Sequence, residues 1–251
     1  MSASASPVLC ADSVGRAFGE RRVLTAATLR ADAGVVLALV GRNGAGKSTL
    51  LKIAAGYERA DYGTVHFAGT AYQSPRLAVL AWHGLFFLPD RDILSTKLTV
   101  RAQLAAAARM ATCSSSLLVS GAGGDVERRA VEAAESLGVA HCIDRPGQTL
   151  SGGERRRAEV AVAFARAPVC LLLDEPYRGL APMDAEALAG AFRALAARGC
   201  AVVVTGHEVD TLFAGADRVT WCTSGTTHSL GAPRDALADF NFRREYLGPR
   251  R

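Results

Sequence analysis

Lysine is scarce in this chain of 251 residues: only Lys47, Lys52 and Lys97 occur, and the remaining positive charge is arginine scattered along the sequence. The formal net charge of +5 therefore comes without a basic block, and a solvated arginine-rich surface accounts for it better than a nucleic-acid arm. The six cysteines, Cys10, Cys113, Cys142, Cys170, Cys200 and Cys222, lie far apart and form no C-x-x-C pair. Several sit inside apolar runs, where they read as small buried residues, and a reducing cytoplasm is the expected setting. No stretch approaches the ~20 apolar residues that span a bilayer, and the N-terminus lacks a charged start followed by an apolar signal core. Any membrane role is thus expected from outside the bilayer. No internal repeat is apparent. Hydrophobic residues still make up 49% of the chain, enough for the core of one large α/β domain or a domain carrying an insertion.

The chain is organised around Gly41-Arg42-Asn43-Gly44-Ala45-Gly46-Lys47-Ser48-Thr49, a G-x-x-x-x-G-K-S loop between the apolar run 35–40 and a helix-like stretch. An ordinary glycine-rich turn is the competing reading. The spacing favours a phosphate cradle: loop N–H groups turn inward toward the anion faced by the positive end of the following helix. Lys47 then reaches the outer phosphates, Ser48 supplies a hydroxyl for Mg²⁺, and Thr49 lies near the inner phosphate. Nucleoside triphosphate binding follows.

Along the chain, residues 8–40 form short β-prone runs broken at 18–22 and 31–34, and 35–40 reads as a strand buried on both faces. A helix is expected over 48–55 with Gly56 as its stop, then an edge strand over 61–69, then a single strand over 77–88 ending at Pro89. Alanine-rich stretches at 99–112 and 125–137 read as helices joined by a soft linker over 114–124. Ser151 and Glu154 fit a capping box opening a helix over 152–166. Buried strands follow at 169–173 and 200–205, with a helix over 184–198 between them. Two short strands flank residues 223–225, and the tail 233–251 is helical in part. Alternating strands and helices predict an open doubly wound sheet with its chemistry at the carboxyl edge.

Two of those carboxyl edges carry reactive groups. Asp174 ends an apolar strand, the position from which phosphate-loop proteins reach Mg²⁺, and Glu175 beside it is placed to act as general base on an attacking water. His207, at the end of the next strand, is placed to touch the γ-phosphate and the same water.

At Leu150-Ser151-Gly152-Gly153-Glu154 the sequence resembles the ATP-binding subunits of ABC transporters, and motif order and spacing extend the resemblance over essentially the whole chain. It implies a P-loop ATPase core of α/β class with a small N-terminal antiparallel β subdomain and an inserted helical subdomain. The implied division is a nucleotide-binding core of 1–90 and 157–251 with a helical subdomain at 91–156, in one domain. It further implies ATP and Mg²⁺ as cofactors, with the loop residues Gly41, Asn43, Gly44, Ala45, Gly46, Lys47, Ser48 and Thr49 on the nucleotide.

In that family the signature of one subunit closes over the nucleotide of another, so Ser151, Gly152, Gly153 and Glu154 are expected on ATP in trans. A homodimer, or a heterodimer with a second ATPase subunit, is implied, working on a transmembrane permease from the inner face of the cell membrane. Phe18 stands where the family has an adenine-stacking aromatic. Asp90 stands where it usually has a glutamine contacting Mg²⁺ and water. A carboxylate can still ligate Mg²⁺, so Asp90 joins Ser48 and Asp174 as an expected metal ligand while adding negative charge near the γ-phosphate. Some members resembling branched-chain amino-acid uptake ATPases carry an acidic residue there, so loss of activity does not follow. Ala181 replaces an aspartate common in the dimer-spanning loop. The closing segment 242–248 resembles the tails of branched-chain amino-acid uptake and lipopolysaccharide-export ATPases.

Asp90 and Ala181 also motivate a second reading, a nucleotide-binding but weakly catalytic half of a heterodimer. A soluble relative acting on DNA or ribosomes is disfavoured, because the chain has neither heptad-bearing arms nor a second cassette.

Overall fold

The computed structural model describes residues 6–112 and 122–248. Its strands are β1 (Leu9–Phe18), β2 (Arg21–Ala31), β3 (Val36–Val40), β4 (Tyr62–Phe67), β5 (Thr70–Tyr72), β6 (Leu85–Leu88), β7 (Cys170–Leu173), β8 (Ala201–Thr205), β9 (Arg218–Thr223) and β10 (Thr226–Gly231). They join in the order β5-β4-β1-β2-β10-β9-β3-β8-β7-β6. One wing is antiparallel, β5 through β2, and the other, β9-β3-β8-β7-β6, is parallel. The sheet is therefore mixed, with β5 rather than β4 at its edge, because the turn at Ala68-Gly69 folds the chain back into one more short strand.

The central strands are apolar throughout because each face meets a different core. Val36, Ala38 and Val40 of β3 pack on the side of the helices, whereas Leu37 and Leu39 pack with β1 and β2 on the other. Period-two alternation between two buried faces explains why these runs show no polar positions.

The helices are α1 (Lys47–Ala54), α2 (Leu77–Trp82), α3 (Val100–Thr112), α4 (Ala122–Ser136), α5 (Gly152–Ala165), α6 (Pro182–Ala197), α7 (Val209–Gly215) and α8 (Pro233–Ala238), followed by a short helical tail over 240–247. The stretch 77–88, expected as one strand, is instead α2 followed by β6. Leu77 N–H bonds back to Gly56 O, and Gly84, at φ 97°, turns the chain between them. Apolarity alone cannot separate a buried strand from a short helix. The linker expected over 114–124 gives up its last three residues to α4; residues 113–121 lie outside the described residues. Helix α7 follows His207 without having been expected. No helix among the described residues is long and apolar enough to cross a membrane.

Candidate functional site

Gly46 caps α1 in a left-handed conformation at φ 106°, and a β-carbon there would come within 2.6 Å of Leu24. At Gly41 a β-carbon would sit 2.3 Å from the Cys222 carbonyl oxygen. These two glycines let the loop wrap back over β2 and β9. Leu50 N–H bonds to Gly46 O at 2.8 Å, which leaves the N–H groups of Lys47, Ser48 and Thr49 without partners inside the helix. They face an open cleft of about 440 Å³, lined also by Arg21, Val23, Asn43, Gly44, Asp90, Glu175, Arg178 and His207. Lys47 is almost fully buried, and its Nζ donates to Gly41 O at 2.8 Å, poised at the loop's own carbonyls.

Parallel pairing of β3, β8, β7 and β6 delivers the remaining groups to the same edge. Asp174 is 2% exposed, and its Oδ1 accepts from Ser48 Oγ and from Thr205 Oγ1, both at 2.9 Å. Glu175 adopts φ 52°, an uncommon left-handed conformation for a non-glycine residue, held by its N–H donating to Thr205 Oγ1 at 2.9 Å. Its Oε2 lies 3.1 Å from His207 Nδ1. A carboxylate at that distance fixes the proton on Nδ1 and leaves Nε2 as the open ring nitrogen. Asp90 turns to Arg178, with 2.7 Å between Oδ2 and Nη1.

The signature residues are elsewhere. Ser151 caps α5: its Oγ accepts from Glu154 N–H at 3.2 Å, and Ser151 N–H donates to Glu154 Oε2 at 2.8 Å, the reciprocal box read from the sequence. Ser151 and Gly152 are exposed, and none of residues 151–154 lines the cleft. The Glu154 carboxylate is taken up inside the fold, accepting also from Arg145 and lying 3.0 Å from His141. The Ser151 N–H bond, then His141, holds its pKa down at about 2. Phe18, 46% exposed at the end of β1, pairs across the hairpin with Arg21 and carries the Arg16 guanidinium on its ring at 4.7 Å. It is not among the residues that line the cleft, whereas its hairpin partner Arg21 is.

A phosphate loop, a strand-end Asp-Glu pair braced by a threonine, and a capped Ser-Gly-Gly on a separate helix now stand together on one fold. The ABC transporter family profile matches residues 24–178, more than half of the chain. The chain belongs to the ABC transporter family. Within it, the chain is an ATP-binding cassette. It is 31% identical to the lipopolysaccharide export system ATP-binding protein LptB of Escherichia coli K12, over 96% of this chain and 97% of that protein. It is likewise 31% identical to a probable ABC transporter ATP-binding protein of Azorhizobium caulinodans, over 98% of this chain and 85% of that one. Among solved structures, a nucleotide-free ATP-binding cassette from an ABC transporter superposes with a TM-score of 0.81 at 23% identity, over 97% of this chain and all of that one. A cassette in its ADP conformation gives 0.80 at 24%, covering 97% and 99%. These two establish the fold.

The cassette's oxygen donors fit Mg²⁺. Ser48, Asp90 and Asp174 line a second hollow of about 210 Å³ beside the cleft, a hard-oxygen set in which Asp174 is already oriented by two hydroxyls. A further trio, His141, Cys142 and Glu154, brings its ligand atoms within 4.8 Å of one another. Each already has a partner in the fold, with Cys142 Sγ donating to Val139 O at 3.3 Å, so the trio reads as cap and packing.

Four cassette residues escaped the sequence reading. Thr205 braces both Asp174 and Glu175. Arg178 and Arg21 line the cleft. Arg156, buried on α5, donates to Asp174 O at 2.9 Å, Glu175 O at 3.1 Å, Pro176 O at 3.3 Å and Pro89 O at 3.4 Å, and pairs with buried Glu159 at 2.9 Å. Glu159 Oε1 in turn accepts from Ile93 N–H at 2.9 Å. The one available signal was the Arg155-Arg156-Arg157 run next to the signature, which reads as surface charge.

Proposed function

We propose that this cassette binds and hydrolyses ATP, dimerises on ATP, and powers transport through a separate membrane-spanning partner from the inner face of the cell membrane. The observation that carries this reading is the convergence of Lys47, Ser48, Asp90, Glu175 and His207 on one cleft, with Asp174 in the hollow beside it, that the chain's own signature residues do not enter. In this reading residues 1–90 and 157–251 form the nucleotide-binding core, and 91–156 the helical subdomain that carries the signature and receives the permease.

The residues divide the work by chemistry. The N–H groups at the start of α1 and the Lys47 ammonium hold the β- and γ-phosphates against a preorganised positive surface. Ser48 and Asp174 would hold Mg²⁺, which supplies charge neutralisation to the phosphate oxygens, and Asp90 would join them on release from Arg178. Glu175 Oε accepts a proton from water as the water oxygen bonds to the γ-phosphorus and the bond to the ADP oxygen breaks. His207, on the lining of the cleft, fixes the Glu175 carboxylate through Nδ1–H, which leaves Nε2 to contact the γ-phosphate. Gly152 and Gly153 present their N–H groups, and Ser151 its exposed side chain, at the N-terminus of α5 to the nucleotide of a second subunit, the Ser151 N–H being taken by Glu154.

Glu175→Gln removes the base and keeps the shape, so it should still bind ATP and accumulate as an ATP-bound dimer in size-exclusion chromatography. Steady hydrolysis by that variant would refute Glu175 as base; a hydrolysis-blocked, nucleotide-loaded sample that stayed single with every partner chain would refute trans closure. A weakly catalytic half of a heterodimer is the second reading, favoured by the engagement of Asp90 with Arg178 and by Ala181, which gives α6 no side-chain cap. Magnesium-dependent phosphate release by the purified chain alone separates the two.

A further inference from the structure

Three carboxylates border the cleft and the hollow beside it, and each has a different partner. Asp174 has two hydroxyls, Glu175 has an imidazole, and Asp90 has the Arg178 guanidinium. Only the last partner carries a fixed full positive charge. Asp90 and Arg178 follow β6 and β7, neighbouring parallel strands paired Leu88 to Leu173, so the ion pair bridges two loops across the mouth of the cleft.

Both loops are pinned from behind. Asp174 N–H donates to Leu88 O at 2.8 Å, Arg156 holds Pro89 O and Glu175 O, and Arg178 N–H closes a turn onto Glu175 O at 3.2 Å. The backbone is thus held while the two side chains remain accessible, 36% exposed for Asp90 and 66% for Arg178. A pair this exposed adds little to stability. Its consequence is electrostatic: without Arg178, the cleft that receives a polyanion would carry an uncompensated carboxylate at its mouth.

We infer that Arg178 is a positioning residue that sets the cleft's affinity for a nucleoside triphosphate by neutralising Asp90. The inference rests on the reading of the cleft as a nucleotide site and adds to it a determinant of affinity built from this chain's own two residues.

The test is a double-mutant cycle on the full chain, with equilibrium binding of a fluorescent ATP analogue measured in chelator and in Mg²⁺. Arg178→Ala should raise Kd about tenfold at low ionic strength, because it removes one positive charge from the lining of a cleft that receives a polyanion. The loss should shrink in high salt as the Debye length falls. Asp90→Gln alone should lower Kd, the double variant, which restores the parent's net charge at the mouth, should return Kd close to the parent value, and Arg178→Lys should keep most of the affinity. Melting temperatures should stay close to the parent throughout, because the pair is exposed. A double variant as weak as Arg178→Ala, a salt-independent loss, or no loss would overturn the latch while leaving the nucleotide site intact. Absence of saturable binding by the unsubstituted chain would instead remove the nucleotide reading, and the latch with it.

Discussion

Arg156→Met deletes the guanidinium that ties α5 to the ends of β6 and β7. The substitution keeps a straight apolar side chain in roughly the same space but takes the charge partner from Glu159, which is 1% exposed, and a donor from each of four backbone carbonyls, of which Glu175 O keeps the Arg178 N–H. Removing one member of a buried ion pair costs about 3–5 kcal/mol, mostly from the charge left uncompensated. At ~2–4 °C per kcal/mol for a domain of this size, the melting temperature should fall by about 6–20 °C. Glu159 keeps its bond from Ile93 N–H, which places the loss toward the lower end. The double variant Arg156→Met, Glu159→Met removes the stranded charge, so it should lie closer to the parent than the single variant does. Urea unfolding of the parent, both singles and the double gives the coupling directly. A single-variant shift below about 2 °C, or a double variant worse than Arg156→Met, would show that the guanidinium is not the clamp described here.

Two further outcomes follow from the geometry. Glu154 has its pKa lowered from the ordinary 4.5 to about 2, so its capping contribution is complete above 4.5 and is lost as pH falls through about 2. Melting curves of the parent and Glu154→Gln should therefore converge across that window, and parallel curves would contradict the cap. Burial raises the thiol pKa values of Cys142 and Cys170 and pushes Cys222 up to about 11 and Cys200 up to about 12. Site-resolved alkylation at mildly alkaline pH should leave these four untouched in the folded chain and modify them after denaturation; rapid native labelling of any would show that site to be open.

What could be read along the chain was whatever local spacing determines. The phosphate loop occupies nine consecutive residues whose glycines are needed one by one, as the crowding at Gly41 and Gly46 shows. The Ser151–Glu154 cap is a four-residue device, and Asp174 was marked by the apolar strand before it. Misreadings occurred where neighbours decide. Residues 77–88 split into helix and strand because Gly56 O takes the Leu77 N–H at the start of α2 and Gly84 turns the chain before β6, and β5 appeared because the turn at Ala68-Gly69 folds the chain back along β4. Arg178 and Asp90 are 88 residues apart, and Thr205 lies 31 from Asp174, so no window along the chain could pair them. Fold class was legible because motif order encodes it; the wiring behind the site was not, because it runs through side chains whose partners are set only by the sheet order.

That wiring bears on how a second molecule could be felt at the cleft. Helix α5 presents Ser151 and Gly152 outward, while its next turns hold the cleft from behind through Arg156 and Glu159; Arg157 meanwhile pairs with Asp184 in the first turn of α6. From Ser151 to Glu159 the helix rises only about 12 Å, at 1.5 Å per residue. An anion drawn onto the exposed N–H groups from another subunit's site therefore acts on a short, internally hydrogen-bonded rod whose far side grips the carbonyls of Asp174, Glu175 and Pro89. No flexible linker intervenes. If the signature engages nucleotide in trans as proposed, Arg156 is where that engagement reaches Glu175, and a variant lacking it should still bind ATP at Lys47 while losing the link between dimer closure and hydrolysis.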